Sequence, residues 1–349
     1  GFHRSPERIC LIQLATPDSV YLIDPLEIDD PSPLGELLAD ASVEKVLHSA
    51  DYDVRSLDRD WGFRIRNLFD TSIAAAFVGS TMLGLGAVLQ EFLKVEVNKS
   101  KKLQRADWTL RPLRPDAQHY AAGDVLHLER VRDLLVARLS ALSRLEWVAE
   151  ECERLADVRY RPPDYEWGFA SVKGSRTLDG RGLAVLRSLH QFRENEAVKR
   201  DRPPFKVLPD AALLTLAASP DADLPRVKGL GRFGHPPASN GLEAAIRDGL
   251  RDGPISRPRS TGAGPRLSPT ERAKAQDRLQ RLKGWRTGLG RRLGLDPALL
   301  WPAVSLTRIA SSRDGLDAEF TSAEVRSWQR REFGDSLRSF VETQLTTLR

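Results

Sequence analysis

The 349-residue chain predicts a layered α/β domain followed by two small all-α modules. Three observations lead there. Short, β-branched-rich apolar runs fall before His48, helical patterns follow and intersperse them, and beyond about residue 174 only helical patterns remain, repeating at a fixed interval. Hydrophobic residues make up 41% of the chain, enough for buried cores, and the length calls for two or three domains.

Residues 9–15 (ICLIQLA) and 20–24 (VYLID) are the first apolar runs, and the turn signal Pro17-Asp18 between them predicts a hairpin. Leu34 to Leu38 predicts a short helix and Val43 to His48 a buried strand. Asp51 to Leu57 and Asp70 to Val78 read as helix starts, each with an acid in the first turn, where it suits the helix dipole. Gly84 to Leu93 predicts a further helix, and the segment 94–114 is basic and irregular. Pro115 and Asp116 then open a long helix through Tyr120, with Leu128, Val131 and Leu135 continuing its apolar stripe. These elements place one domain at 1–165. Residues 160–180, with Pro162-Pro163 and scattered glycines, read as a linker.

The remainder repeats itself. At an offset of 93 positions, Leu186 matches Leu279, Leu189 matches Leu282, Phe192 matches Trp285 and Arg193 matches Arg286. Pro204 then matches Pro297, Pro209 matches Pro302, Leu213 matches Leu306 and Ala217 matches Ala310. Two prolines in register argue against coincidence between unrelated amphipathic helices. The expected modules are 174–252 and 268–349, joined by the Gly/Pro/Ser/Arg-rich stretch 253–269.

A net charge of +5, carried mostly by arginine, fits a polyanionic partner such as nucleic acid. Cys10 and Cys152 have no metal-ligand spacing and are too few for a disulfide framework. No apolar run approaches the roughly 20 residues of a membrane helix, and GFHRSPER lacks signal-peptide organisation. A reducing, cytoplasmic setting is expected. Because the chain enters a strand almost at once, it is expected to begin inside a domain.

The chemistry centres on HYAAGDV, where Tyr120 and Asp124 stand one helical turn apart and share a face. A carboxylate that holds a divalent ion, beside a phenol that orients water, suits metal-dependent phosphodiester hydrolysis, which needs several carboxylates around its ions. Asp53 and Asp70 are the other acids that could converge on such a site. Asp51 and Asp70 are read first as helix caps and His48 as a structural histidine, while Asp53 stays open between cap and ligand.

The runs HSADYDVRSL, LFDTSIAAAFVG and KSKKLQRADWTLRPLRPDAQHYAAGDVLHL resemble the second and third exonuclease motifs of the ribonuclease D family, DEDD-type 3′–5′ exonucleases of the tyrosine subclass. The match in order and spacing runs through about residues 1–140, and the repeated modules resemble the HRDC domains that follow the nuclease in that family. The resemblance implies an RNase H-like exonuclease domain that releases nucleoside 5′-monophosphates from RNA by a two-metal mechanism with Mg²⁺ or Mn²⁺. It implies tRNA precursors and other structured RNA 3′ ends as substrates, and a monomer. Residue by residue, Asp53 takes the place of an outer ligand of the second metal, Tyr120 of the water-positioning tyrosine, and Asp124 of a ligand of the first metal. Trp108, Asp70 and His48 fall on framework positions. Arg111 also falls on such a framework or substrate-side position and is read as structural first; Arg111 and Lys99 are secondary RNA-contact candidates, with a solvated basic loop as the plain alternative.

The family's first motif, Asp-x-Glu on the opening strand, is absent from this sequence. The domain is therefore expected to lack its first strand through N-terminal truncation, and the chain as it stands to be catalytically crippled. The rival expectations are a non-catalytic RNA- or DNA-binding protein and a DNA 3′–5′ exonuclease of the same superfamily.

Overall fold

The computed structural model describes residues 7–97, 100–162, 164, 166–257, 268–312 and 316–345. They divide into two compact units, one drawn from Ile9–Tyr160 with Ala263–Arg349, the other from Gly1–Arg8 with Arg161–Gly262.

In the first unit, β1 (Ile12–Ala15) and β2 (Val20–Ile23) form the expected hairpin, antiparallel with Ile12 opposite Ile23 and Ala15 opposite Val20. Helix α1 (Ser32–Ala39) follows, then β3 (Lys45–Leu47), α2 (Asp51–Trp61) and β4 (Leu68–Asp70). Strands β3 and β4 run parallel, Leu47 opposite Asp70, with α2 as their crossover. Asp70 starts a helix as expected, as the N-cap of α3 (Thr71–Val78), and LFD before it adds a short buried strand that the sequence did not signal. Three residues are too few to show a strand period.

Helices α4 (Leu85–Leu93) and α5 (Lys101–Gln104) precede α6 (Pro115–Gly123) and α7 (Leu128–Ala141). The single long helix expected through Tyr120 is thus two. Gly123, a poor helix former, ends α6, and Asp124 to His127 turn tightly before α7 resumes the buried stripe of Leu128, Val131 and Leu135. Asp124 keeps right-handed helical angles (φ −70°, ψ −20°), so it remains one turn beyond Tyr120. Helix α8 (Leu145–Ala156) closes this segment.

The second unit holds α9 (Gly180–Lys199), α10 (Pro204–Val207), α11 (Asp210–Ala218) and α12 (Ser239–Arg251) around a core of its own that includes Leu186, Leu189, Leu208, Leu213 and Leu242. The C-terminal helices belong to the first unit: α13 (Pro269–Leu293), opened by a Ser268/Glu271 capping box, α14 (Pro297–Leu300), α15 (Ala303–Ser311), α16 (Leu316–Thr321) and α17 (Ser327–Phe340). The bounds of α10 and α14 differ by the same 93 positions read from the sequence, as do those of α11 and α15. The repeat extends to a hydrogen bond. Arg193 donates to the Leu208 carbonyl at 3.4 Å, and Arg286 donates to that of Trp301, its counterpart, at 2.8 Å.

One apolar core runs from Phe69, Phe77, Leu89, Leu135 and Trp147 directly into Leu282, Leu300, Leu306 and Trp328. Trp147 and Trp328 stack with centroids 4.7 Å apart. The buried Arg144 donates 2.8 Å hydrogen bonds to the carbonyls of Phe77 and Leu293, near the C-terminal ends of α3 and α13, where a cation suits both helix dipoles. At the other end of the joint the Glu150 carboxylate accepts the Ser327 and Trp328 N–H groups, capping α17. The tail helices therefore complete the core of the strand-bearing segment.

Candidate active site

Asp70, fully buried at the end of β4, is a junction. One carboxylate oxygen accepts the N–H groups of Ser72 (2.8 Å) and Ile73 (3.2 Å), capping α3 as the sequence suggested, together with the Ser72 hydroxyl (2.6 Å) and the Ser49 N–H (3.1 Å). The other oxygen accepts the Ala50 N–H at 2.7 Å. Ala50 is the residue before α2, so a single carboxylate fixes the starts of two helices. Its oxygens are spent on the protein, which suits a framework role.

Asp53 lies in the first turn of α2, accessible to solvent. Protein crowding around its carboxyl, and then the nearby charge of Asp70, push its pKa up to about 6. Its neighbour Asp51 pairs with Arg55 across one turn at 2.9 Å rather than capping the helix. His48 sits at the end of β3. The Thr71 hydroxyl donates to the Leu47 carbonyl (3.0 Å), so it accepts from His48 Nδ1 at 2.8 Å, which assigns the neutral Nδ1–H tautomer. Burial lowers the pKa of this ring, as a structural histidine requires.

On α6, burial and the Asp124 charge raise the Tyr120 pKa, so the phenol stays protonated at neutral pH. Burial alone pushes Asp124 up to about 6. The Trp108 ring packs beside Tyr120, tilted, at 6.1 Å between centroids.

Arg111 bonds within the protein. Its Nε donates to Asp24 and its Nη2 donates to Asp24 (2.6 Å) and the Cys10 carbonyl (2.7 Å). Its Nη1 donates to the carbonyls of Trp108 (2.8 Å) and Leu110 (3.0 Å). A guanidinium has five N–H groups, and here each has an acceptor within the protein. The pairing holds the Asp24 carboxyl below the ordinary carboxylate range. Engagement of an RNA phosphate would break bonds already made, which favours the structural reading of Arg111 over the RNA-contact one. Lys99 lies outside the described residues.

Asp24 was missed in the sequence, where it is only an acid after a strand; its partner lies 87 positions away. Asp53 and Asp124 share a different property: among the described residues neither has an ion-pair partner. Carboxylates with raised pKa and no ion pair among the described residues are hard oxygen donors, which suit a divalent cation such as Mg²⁺ or Mn²⁺. Among the described residues no three His, Cys, Asp or Glu side chains cluster as a metal site.

Comparison with known proteins bears on the family. The family described as 3′–5′ exonuclease matches residues 2–140, and the HRDC domain family matches residues 182–237. A ribonuclease D from Gluconacetobacter diazotrophicus is 33% identical over 335 residues, covering 94% of this chain and 81% of the relative. One from Xanthomonas oryzae pv. oryzae is 32% identical over 343 residues, covering 98% and 88%. The crystal structure of Escherichia coli RNase D, described as an exoribonuclease involved in structured RNA processing, superposes with a TM-score of 0.67 at 23% identity. It covers 99% of this chain and 92% of that one, which shows the fold to be shared.

Proposed function

Because the chain belongs to the ribonuclease D family, we propose that Tyr120, Asp124 and Asp53 carry its catalysis, in an RNase H-like exonuclease fold followed by HRDC-type helices. The enzyme is a 3′–5′ exoribonuclease, a hydrolase of RNA phosphodiesters. The observation that carries the assignment is the Tyr120/Asp124 pair at the C-terminal end of α6: a protonated phenol one turn from a carboxylate that has no ion-pair partner among the described residues.

Asp124 would hold one divalent ion and Asp53 would contribute, directly or through water, to the second. Such ions, when bound, supply neutralisation of the scissile phosphate and activation of the attacking water. Tyr120 keeps its proton and offers a hydroxyl that can donate to or accept from that water, fixing its line of approach. Asp70 holds the start of α2 in place and so fixes Asp53. The products are nucleoside 5′-monophosphates. Tandem helical modules, the second in the same 93-residue register as the first, support structured RNAs such as tRNA precursors as substrates. A cytoplasmic monomer fits this role, and among the described residues no helix is long and apolar enough to cross a membrane.

The experiment joins an Asp-x-Glu-bearing strand ahead of Gly1 and measures Mg²⁺-dependent release of mononucleotides from RNA and DNA with matched 3′ overhangs. RNA is expected to be degraded in preference to DNA, and Asp124→Asn to abolish the release. Activity that survives Asp124→Asn would overturn the assignment. Salt-dependent RNA binding without cleavage would favour a binding protein.

A further inference from the structure

We propose that Arg111 is a positioning residue for Tyr120, acting with Asp24 as a clamp that fixes the loop from which α6 begins. The inference rests on the reading of Tyr120 as the water-orienting phenol.

Three parts of the first unit meet at one guanidinium: the Cys10 carbonyl just before β1, the Asp24 carboxylate just after β2, and the carbonyls of Trp108 and Leu110 in the loop. The hairpin is thereby tied at both of its open ends to a loop that is otherwise irregular. Among its described residues that loop holds only the one-turn helix α5. Helix α6 also packs against β2. The clamp reaches Tyr120 by two routes. Through the chain, Arg111 lies four residues before Pro115, the first residue of α6. Through space, it holds the carbonyl of Trp108, whose indole lies against the Tyr120 ring at 6.1 Å. A phenol that orients water must be held to a fraction of an ångström, and a displacement near 1 Å costs on the order of 100-fold in rate.

Arginine is the residue type that this joint requires. Lysine has the charge but only three donors on one nitrogen, and it cannot span a carboxylate and three carbonyls in different directions. Asp24 is equally specific, since a bidentate acceptor faces Nε and Nη2 together.

The test replaces the five tyrosines by 3-fluorotyrosine and follows the ¹⁹F resonance of Tyr120, assigned by its loss in Tyr120→Phe. Arg111→Lys, Arg111→Met and Asp24→Asn are expected to move or broaden that resonance. The Tyr160 resonance, held by a segment anchored on Asp58, should stay in place and so report an intact fold. In the enzyme carrying the Asp-x-Glu strand, the same variants are expected to lower kcat about 10- to 100-fold with KM for RNA nearly unchanged. If Arg111→Lys raises KM at constant kcat, Arg111 contacts RNA and the proposal is overturned. An unmoved Tyr120 resonance with unchanged kcat also overturns it. If Tyr120→Phe itself retains full kcat, the role of Tyr120 fails, a result separable from the ¹⁹F outcome. Should the methionine variant fail to fold, the lysine and asparagine variants decide.

Discussion

The Asp70 carboxylate accepts the Ala50 backbone N–H at 2.7 Å from one oxygen while its other oxygen caps α3 through Ser72 and Ile73. An acid that ends a strand thereby holds the start of the helix that carries Asp53. Its burial is tolerable because both oxygens are satisfied by backbone donors at two helix N-termini.

Asp70→Asn keeps the shape but turns an amide nitrogen toward donors that need an acceptor. Charge-assisted hydrogen bonds to buried groups contribute about 1.5–3 kcal/mol each, so Asp70→Asn should cost about 3 kcal/mol in urea unfolding of the first unit. Metal affinity should fall as well, because α2 loses its anchor. A loss below about 0.5 kcal/mol would show that the junction is not what holds the two helices.

Asp124 has a folded-state pKa of about 6 against an ordinary 3.8. The folded metal-free protein therefore holds this proton more tightly than the unfolded chain does. The resulting stability is fully present below about pH 3.8 and is lost as the pH rises to about 6. Asp124→Asn, which removes the charge, should stabilise the metal-free protein at pH 7 by about 1–2 kcal/mol while abolishing activity. Added Mg²⁺ or Mn²⁺ should stabilise the parent and not the variant, and should do so more strongly as the pH rises through 6, since the ion displaces the proton. Equal stability of parent and variant across pH 4–8 would contradict the burial of this carboxyl.

Tyr120→Phe removes the hydroxyl and leaves the ring against Trp108. Stability should change by less than about 1 kcal/mol, and kcat of the enzyme with its Asp-x-Glu strand should fall at least about 100-fold. The pH profile checks the role. A phenol that acts while protonated leaves the rate flat between pH 7 and 9, whereas a phenolate base would make it climb tenfold per unit.

Trp328 is fully buried against Trp147 and Phe77 and stacks at 4.7 Å on the former. Trp328→Ala should cost about 3–5 kcal/mol. Hydrogen exchange should locate the damage. Amides of α3 and α4 in the nuclease segment should lose protection together with those of α13 and α15, because these helices share one core. Amides of α9 and α11, whose core is separate, should keep theirs. Loss confined to the C-terminal helices would mean that the tail folds as an independent domain.

Elements with local signals were legible in the sequence. The hairpin followed from Pro17-Asp18 between two β-branched runs, α4 from its apolar period, and the repeat from prolines in register. β4 was not, because three residues carry no period, and its parallel pairing with β3 depends on a partner more than twenty positions away. The break between α6 and α7 was signalled only by Gly123, against an apolar stripe that runs on across it.

For the site, the sequence by itself determined which chemistry is present: a tyrosine and an aspartate one turn apart, a second aspartate after a strand, and a 93-residue repeat that reappears in the helix bounds. Spacing within a helix fixes such pairs locally, whatever the rest of the chain does. Only the tertiary structure decided what Arg111 bonds to and where the C-terminal helices belong. A guanidinium in a basic loop offers no sign of its internal partner, because Asp24 lies 87 positions away. Likewise the tail reads as an appended module until Trp328, 177 positions from Glu151, donates its indole N–H to that carboxylate. Both facts depend on chain segments meeting in space, and burial of the shared core, rather than any local pattern, brings them together.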